Sequence, residues 1–326
     1  MEKARGYRVS QLAWGLACFM RKCIFSILSV GPLPNHIALI MDGNRRYAKK
    51  LNMAEGAGHK AGSIALMKLL SHSYELGVKY VTVYAFSIDN FKRRPDEVNS
   101  LMALIVEKIE EMLKEESIVN QYGVRMYFIG NLKLLNEPVR VAAERAMAAT
   151  ANNTKAALLI CVAYTSSDEI VHAVQQSCKA KWIETEALDA SKGINSVPGV
   201  EKENAVLAVH SIQGTSEDEW DEVASRTSTG VIEGNEESKE KQLVLPTIKV
   251  SDIERHMYMS VAPEPDILIR TSGENRLSNF LLWQTTNCPL YSPTALWPDF
   301  SFWHFLWAVL NFQRSYQYFE KKKKQL

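Results

Sequence analysis

The chain has 326 residues and a formal net charge of +1, and 46% of its residues are hydrophobic and 23% charged. This is ordinary globular composition, with enough length for one large α/β domain or two smaller ones. The near-neutral charge argues against nucleic acid as a partner but leaves room for a local phosphate-binding patch. Five scattered cysteines without a Cys-x-x-Cys pair argue against a disulfide framework or a zinc site.

The first 30 residues predict an amphipathic helix. Residues 7–30 are rich in bulky apolar side chains, but Arg21 and Lys22 interrupt them, so no uninterrupted span is long enough to cross a bilayer. Two interpretations fit this pattern. The helix contacts a membrane or a partner chain, or it packs on the protein's own core.

The stretch from His36 to Lys50, HIALIMDGNRRYAKK, reads as a strand that ends in a polar loop. Its apolar residues 37–41 suit a strand buried on both faces of a parallel sheet, and Gly43 allows a sharp turn. Carboxylate and carboxamide oxygens suit Mg²⁺, and guanidinium groups suit phosphate oxygens. The residues that offer these groups are Asp42, Asn44, Arg45 and Arg46. An ordinary Asp-Gly-Asn turn before a basic helix fits the same residues.

A second strand, residues 80–86, also ends in polar and basic residues. Ser87 follows it directly, and the basic residues 92–94 lead to Pro95, where a helix is expected to begin. Ligands of open α/β sheets bind at such carboxyl ends, although a solvated basic loop is the alternative. In the helix expected between the two strands, His59 either touches a phosphate or is a solvated capping residue.

The middle of the chain alternates strands and helices. Apolar residues recur at helical spacing over residues 98–116, in a helix that is either core or the wall of a long apolar cavity. Strands at 124–129 and 156–163 flank a helix at 139–150. This order predicts one parallel sheet, with right-handed crossovers that place helices on both faces.

Residues 179–249 break the alternation. They are acidic, rich in Ser, Gly and Asn, and show little periodicity, so we expect a flexible insertion. Helical order is expected to return at residues 250–259.

A short strand at residues 266–269 precedes a second polar loop. Two arginines and a hydroxyl in this loop could clamp a diphosphate. The polar residues of the loop are Arg270, Glu274, Arg276 and Ser278. The alternative is an ion pair between Arg270 and Glu274 that only holds the loop. Residues 296–319 are so rich in Trp, Phe and Tyr that we expect them to be buried, against another chain for example.

Four motifs resemble the cis-prenyltransferases, the family of undecaprenyl and dehydrodolichyl diphosphate synthases, and their details are most similar to plant enzymes of the dolichol and rubber type. The motifs are HIALIMDGNRRYAKK, GHKAG at Gly58 to Gly62, YAFSIDNFKR at Tyr84 to Arg93, and DILIRTSGENRLSNFLLWQ at Asp266 to Gln284. The resemblance implies an α/β fold with a single central parallel sheet flanked by helices and with an apolar tunnel. Residues 31–326 would form the catalytic domain.

The resemblance also implies a reaction and its residues. Such enzymes elongate an allylic diphosphate, commonly farnesyl diphosphate, by adding isopentenyl diphosphate with new cis double bonds. Asp42 is expected to hold Mg²⁺, and the groups expected to cradle the allylic diphosphate are Gly43, Asn44, Arg45 and Arg46. The residues expected to hold isopentenyl diphosphate are Arg270, Arg276 and Ser278. Further contacts are expected from His59, Phe86, Arg93 and Glu274, and the candidates for assisting proton removal are Asn44 and Ser87.

The resemblance also shows three departures from bacterial homodimeric members. Pro289 stands where those members have a metal-site glutamate, so Asp42 and Glu274 are expected to serve with the substrates, and Glu55 replaces an arginine that contacts a diphosphate. Their final Arg-x-Gly motif, which reaches the partner's isopentenyl diphosphate, is missing, since the last glycine is Gly273. We therefore expect a heteromer with an accessory subunit resembling the Nogo-B receptor. We expect it at a membrane surface, on the cytoplasmic face of the endoplasmic reticulum or on a rubber particle.

Two alternatives remain open. The chain could itself be the non-catalytic accessory subunit, although Asp42, Arg46, Arg270 and Arg276, groups that accessory subunits lose, are present. An unrelated Mg²⁺-dependent phosphate hydrolase would need an activated water or nucleophile, for which the sequence offers no candidate.

Overall fold

The computed structural model describes residues 15–16, 18–54, 56–191 and 247–325, without the side chains of residues 186–191 and 323. The chain forms two compact units, Met1–Glu169 with Tyr258–Leu326, and Ile170–Met257. The central sheet and its polar loops belong to the first unit.

One parallel sheet forms the centre of the larger unit, which confirms the predicted fold class. Its strands within the described residues are β1 (His36–Ile40), β2 (Tyr80–Ser87), β3 (Val124–Ile129), β4 (Ala156–Tyr164), β5 (Ile267–Arg270) and β6 (Leu290–Tyr291). They lie in the order β3-β4-β2-β1-β5-β6. Ile40 of β1 lies opposite Tyr84 on one side and Arg270 on the other. The carboxyl ends of β2, β1 and β5 therefore meet at one edge of the sheet.

Helices connect and flank these strands. They are α1 (18–28), α2 (Asn44–Lys50), α3 (Ala57–Leu76), α4 (Pro95–Met112), α5 (Ile118–Tyr122), α6 (Glu137–Ala149), α7 (Ser166–Ser191), α8 (Val250–His256) and α9 (Phe302–Lys323). Helix α4 begins at Pro95, as predicted, because proline suits the first turn of a helix and Asp96 and Glu97 stabilise its positive end.

The sheet separates two apolar cores. All five residues of β1 are buried. Ile37 and Leu39 belong to one core, and Ala38 and Ile40 belong to the other. This alternation is that of a strand covered on both faces, as the continuous apolar run predicts.

The amino-terminal helix α1 packs on the larger core with one face and exposes the other. Phe25 is buried, and its ring centroid lies 5.7 Å from that of Phe302 on α9. Arg21 forms an ion pair with Glu75 of α3 at 2.9 Å. The exposed apolar side chains of this segment are Leu16, Phe19, Met20, Ile27 and Val30. Residues 7–14 lie outside the described residues.

Helix α9 is buried on one face only within this chain, so burial of its other aromatic residues against another chain stays a prediction. Phe305 and Phe312 lie in the core, whereas Trp303 is 68% exposed and Trp307 is 55% exposed. The buried and exposed positions alternate at helical spacing, because only one face of the helix meets the rest of the unit.

The smaller unit begins inside α7, which changes the predicted boundary of the insertion. The helix continues from Ser166 through Ser191, so the first residues of the segment expected to be flexible, 179–191, are helical. Ser177 of α7 donates to the backbone oxygen of Asp252 on α8 at 3.0 Å. Residues 192–246 lie outside the described residues. None of the helices in the described part of the chain is long and apolar enough to cross a membrane.

Candidate active site

The polar loops after β1, β2 and β5 surround one cavity with a volume of about 720 Å³. Parallel strands with neighbouring carboxyl ends create such a crevice between their loops. The predicted site residues that line it are Asp42, Asn44, Arg45, His59, Ser87, Arg93, Arg270, Arg276 and Ser278. The structure thus brings four separate sequence motifs to one place.

Asp42 lies between two arginines. Its Oδ2 accepts from Arg270 Nη2 at 2.8 Å, and its Oδ1 accepts from Arg46 Nη2 at 3.2 Å. Partial burial disfavours the charged carboxylate, but the hydrogen bond and charge of Arg270, with those of Arg46, outweigh it and hold the pKa of Asp42 below its ordinary value. Asp42 is therefore ionised at neutral pH.

Arg270 connects the first and second polar loops. It is 3% exposed, and besides Asp42 its Nη1 donates to the backbone oxygen of Arg276 at 2.5 Å and to Ser278 Oγ at 2.7 Å. The alternative ion pair between Arg270 and Glu274 is not formed. Glu274 instead contacts Arg276, and lies 3.8 Å from Arg46. The guanidinium of Arg270 is thus fixed in direction by three acceptors.

Two glycines allow α2 and α3 to approach closely at the cavity. Gly43 has a φ of 108°, a left-handed conformation that turns the chain from β1 into α2. A Cβ at Gly62 of α3 would lie 2.2 Å from Asn44 Oδ1, so only glycine fits there. This is the physical reason for the GHKAG motif, which places His59 on the cavity wall beside Asn44.

His59 and the basic residues around it form the cationic side of the cavity. Burial and the charge of Arg93 lower the pKa of His59, so its ring is neutral at pH 7. Glu97 accepts from Arg93 at 2.8 Å and lies 3.8 Å from Arg45, whose side chain is 69% exposed. An anion in the cavity would meet both guanidinium groups.

Four of the predicted site residues do not line the cavity, namely Gly43, Arg46, Phe86 and Glu274, whereas Ser87 does. Phe86 is 1% exposed and packs against Phe91, with ring centroids 4.9 Å apart, in the core under the site. Ser87 lines the cavity, and its Oγ accepts from the backbone of Asp89 at 3.2 Å as a helix cap. Gly43, Arg46 and Glu274 do not line the cavity, although Arg46 binds Asp42 and donates to Ser272 Oγ at 2.5 Å.

The remainder of the cavity is lined mainly by apolar side chains, with Lys108 of α4 as the charged exception. Helix α4, predicted as core or cavity wall, forms part of this wall. The apolar residues that line it include Leu66, Met67, Leu101, Leu104, Ile105, Ile109, Met112, Phe128, Leu158 and Ile160. This combination of a charged end and an apolar body is the tunnel that the fold class implied.

A divalent cation fits this site only together with an anionic substrate. In the described part of the chain no group of three His, Cys, Asp or Glu side chains could hold a metal ion. Mg²⁺ commonly binds through one or two carboxylates and substrate phosphates, and Asp42 offers one carboxylate on the cavity wall. Its two arginine contacts leave lone pairs on both oxygens.

Three further residues shape the site and were not predicted as site residues. The Thr271 hydroxyl accepts from the Asp42 N–H at 3.0 Å and donates to the Asp42 carbonyl at 2.7 Å. Tyr84 and Asn279 line the cavity beside Ser278. Their contacts connect residues more than 100 positions apart, so periodicity and local turn chemistry carry no signal for them.

Comparisons with known proteins agree with this geometry. The model of the undecaprenyl diphosphate synthase family matches residues 40–320. The dehydrodolichyl diphosphate synthase CPT3 of Solanum lycopersicum is 54% identical, over 100% of both chains. The rubber cis-polyprenyltransferase HRT2 of Hevea brasiliensis is 48% identical, over 95% of both chains.

A human relative and a solved structure extend the comparison. The dehydrodolichyl diphosphate synthase complex subunit DHDDS of Homo sapiens is 35% identical, over 94% of this chain and 75% of its own length. The lavandulyl diphosphate synthase from Lavandula x intermedia, solved in complex with dimethylallyl diphosphate, has a TM-score of 0.61 and 26% identity, over 86% of this chain and 95% of that chain. The chain therefore belongs to the undecaprenyl diphosphate synthase family and is a cis-prenyltransferase.

Proposed function

We propose that the chain condenses isopentenyl diphosphate units onto an allylic diphosphate, farnesyl diphosphate or a similar one, and makes long-chain cis-polyprenyl diphosphate for dolichol or rubber. One observation carries the proposal. The cavity is lined by arginines and Asp42 from the polar loops and elsewhere mainly by aliphatic and aromatic side chains, with Lys108 of α4 as the charged exception. A substrate with a charged diphosphate and a growing hydrocarbon chain matches this division.

The loop after β1 is proposed to hold the allylic diphosphate. Arg45, His59 and Arg93 line the cavity beside Asn44 and provide hydrogen-bond donors for phosphate oxygens. Gly43 gives the backbone the turn that brings these groups together. Arg46 lies outside the cavity wall and would act by binding Asp42.

The loop after β5 is proposed to hold the diphosphate of isopentenyl diphosphate through Arg270, Arg276 and Ser278. All three line the cavity, and Arg270 joins this loop to the β1 loop through its ion pair with Asp42. Fixing both substrates with their reacting carbons adjacent would supply much of the rate enhancement, since orientation replaces a bimolecular encounter.

Asp42 is proposed to hold Mg²⁺ together with the allylic diphosphate, with Glu274 as a further carboxylate nearby. When bound, the ion would neutralise the charge that develops on the leaving diphosphate. The new carbon–carbon bond forms as the allylic carbon–oxygen bond breaks, and a proton leaves the isopentenyl unit. Asn44 and Ser87 line the cavity and are candidates for assisting that proton removal.

The active form is proposed to be a heteromer with a Nogo-B-receptor-like accessory subunit at a membrane surface. A relative that shares 35% identity is named as a subunit of a complex. The exposed apolar face of α1, next to the basic residue Lys22, suits the surface of a membrane. We place the complex at the cytoplasmic face of the endoplasmic reticulum or at a rubber-particle surface.

Elongation with radiolabelled isopentenyl diphosphate tests the proposal. We expect membranes that contain this chain and its accessory subunit to make polyprenyl product, and the chain alone to make little. Asp42→Ala is expected to lower elongation about 10³-fold, because the metal ligand is lost. The control is Asp96→Ala, since this carboxylate lies outside the cavity and is 68% exposed.

Two results would contradict the proposal. Full activity of the chain alone would show that no accessory subunit is needed. Full elongation by Asp42→Ala in the complex would show that the active site lies elsewhere, as expected if this chain were the accessory subunit.

A further inference from the structure

The loop that carries Ser278 is attached to the start of helix α7, at the end of β4. Thr165 caps this helix in the usual way, with its Oγ1 accepting from the Asp168 N–H at 3.3 Å. The two preceding N–H groups, of Ser166 and Ser167, have no partner within the helix, as in every helix start. Both donate to Asn279, the first to its backbone oxygen at 2.8 Å and the second to its Oδ1 at 3.1 Å.

The side chains of Ser166 and Ser167 complete this attachment. Ser167 Oγ donates to Asn279 Oδ1 at 3.2 Å and accepts from Asn279 Nδ2 at 3.0 Å. Ser166 Oγ accepts from the Leu282 N–H at 2.9 Å. One asparagine thus caps a helix that is more than 100 positions away in sequence, and we call this set of bonds the Asn279 clasp.

The Asn279 clasp stabilises a left-handed backbone conformation that the loop would leave without these bonds. Ser278 has a φ of 50°, Asn279 of 57° and Leu281 of 47°, all in the left-handed region. Non-glycine residues rarely occupy this region and persist there only where surrounding contacts impose it. Asparagine suits the central position, since it tolerates this conformation better than most residues and also provides a side-chain acceptor.

The residue next to the clasp is part of the candidate active site. Ser278 Oγ and the Arg276 carbonyl oxygen are two of the three acceptors that direct Arg270. From the other side, the Tyr84 hydroxyl donates to the Ser278 carbonyl at 3.4 Å, and its ring stacks on Phe280 at 4.5 Å. Burial raises the pKa of Tyr84 to about 12, so its hydroxyl stays protonated.

We propose that Asn279 and Ser167 are positioning residues for the diphosphate of isopentenyl diphosphate. They fix the left-handed backbone at Ser278 and thereby the direction of Arg270. Asn279 also lines the cavity, but its side-chain oxygen and nitrogen both bind Ser167. The inference rests on the proposed function in one respect, namely that the Ser278 loop binds that diphosphate.

Steady-state kinetics of the complex tests this role. Asn279→Ala removes the side-chain acceptor and is expected to raise the KM for isopentenyl diphosphate about tenfold, because the loop that directs Arg270 loses its side-chain attachment to α7. The KM for the allylic diphosphate should change less than about twofold. Ser167→Ala keeps the N–H and should have a smaller effect, about threefold.

Two further variants separate the clasp from backbone strain. Asn279→Gly adopts positive φ freely but lacks the acceptor, so we expect the same tenfold rise. Asn279→Asp keeps the side-chain acceptor, and the start of a helix favours negative charge. We therefore expect its KM for isopentenyl diphosphate to lie close to the wild-type value. Wild-type kinetics of Asn279→Gly would overturn the clasp, because relief of strain would then suffice.

Binding of inorganic pyrophosphate, measured by calorimetry on the same complex, distinguishes the clasp from the proposed function. We expect Asn279→Ala to weaken it about tenfold. The control is Asn153→Ala, which removes a similar bond, from Asn153 Nδ2 to the Val124 carbonyl at 2.8 Å, away from the site.

If Asn279→Ala lowers the melting temperature as the control does but leaves both KM values and pyrophosphate affinity unchanged, Asn279 only holds the fold and the proposal is wrong. If the wild-type complex binds pyrophosphate but does not elongate, the proposed function fails, and the Asn279→Ala affinity still decides the clasp.

Discussion

The two polar loops of the site do similar chemistry but are built differently. The loop after β1 reaches α2 within four residues, and its turn is made by local bonds, such as the Tyr47 N–H to the Gly43 carbonyl at 2.9 Å. The loop after β5 is longer and is held by distant residues. The Ser272 N–H donates to the Ala295 carbonyl at 2.7 Å, and Asn279 binds the start of α7.

This difference predicts which substitutions disturb each loop. The first loop should be sensitive to changes in its own turn residues and in the glycines packed against it, because the turn itself is made by local bonds. Its distant backbone partners are Thr271 and Trp297, which both bond Asp42. The second should be sensitive to substitutions far away in sequence, because its left-handed residues depend on tertiary contacts. Arg270 joins the two, so it should matter most.

Arg270→Ala is expected to have the largest effect, a loss of elongation of about 10³-fold or more, because it leaves Asp42 partly buried without its closest cation and frees both loops. Radiolabel incorporation measures it. Arg145→Ala, which removes an arginine on α6 that pairs with Glu110 and is 55% exposed, serves as the control. Combined with Asp42→Ala, the two losses should be far from additive; additive losses would show that the residues act separately.

His36, at the amino end of β1, also contacts the segment that leads into β5. Protonation of this histidine should therefore destabilise the strands that carry both polar loops. His36 is buried with Nδ1 2.6 Å from the Pro263 oxygen and Nε2 2.7 Å from Thr82 Oγ1. Burial lowers its pKa from 6.5 to about 4, despite the Pro263 bond and the charge of Asp266.

Between pH 6.5 and 4 the unfolded chain therefore binds the proton and the folded chain does not. The free energy of unfolding should fall by about 3 kcal/mol as the pH drops through this window. Urea denaturation at several pH values measures the slope, and His36→Gln, which cannot titrate, should remove that part of it. An unchanged slope in His36→Gln would contradict this assignment.

Gly62→Ala tests the local character of the first loop. The added Cβ would lie 2.2 Å from Asn44 Oδ1 and 2.9 Å from Trp297 Cδ1, so the side chains of both residues must shift. We expect the free energy of unfolding to fall by about 2 kcal/mol and elongation to fall about tenfold. Gly15→Ala, where the added Cβ has nothing within 4 Å, is the matched control. Equal effects of both substitutions would mean that the close approach at Gly62 is not required.

Thr271→Val should have the smallest effect of these substitutions. It removes the hydroxyl that bonds both backbone groups of Asp42, but other acceptors and donors remain, such as the Trp297 N–H at 2.9 Å from the Asp42 carbonyl. We expect a loss of about 1 kcal/mol in stability and a rise of about threefold in the KM for the allylic diphosphate. Thr286→Val, at an exposed turn, is the control. A larger rise in the KM for isopentenyl diphosphate would place Thr271 with the second loop instead.

Much of this fold follows from local pattern. The apolar run of β1, the aromatic and β-branched run of β2 and the alternation that follows predicted the parallel sheet, because burial on both faces demands such residues. The sequence predicts element boundaries less accurately where a helix continues into a segment of acidic and polar composition. The acidic stretch after residue 179 read as an insertion, yet α7 continues through Ser191.

Part of the candidate site could be predicted from the sequence for the same reason. Asp42, Ser87 and Arg270 stand just after predicted strands, and parallel strands bring their carboxyl ends together. The sequence does not predict which of these charged side chains pair with each other. Local spacing suggests an ion pair between Arg270 and nearby Glu274, whereas the structure pairs Arg270 with Asp42, 228 positions away.

The sequence by itself determined the strands, their polar ends and the motifs of the family, because periodicity and turn residues act over a few positions. Only the tertiary structure decided which charges meet, that Phe86 lies in the core, and that Asn279 caps α7. Those outcomes depend on long-range packing, in which each left-handed residue and buried arginine is held by partners that no local pattern identifies.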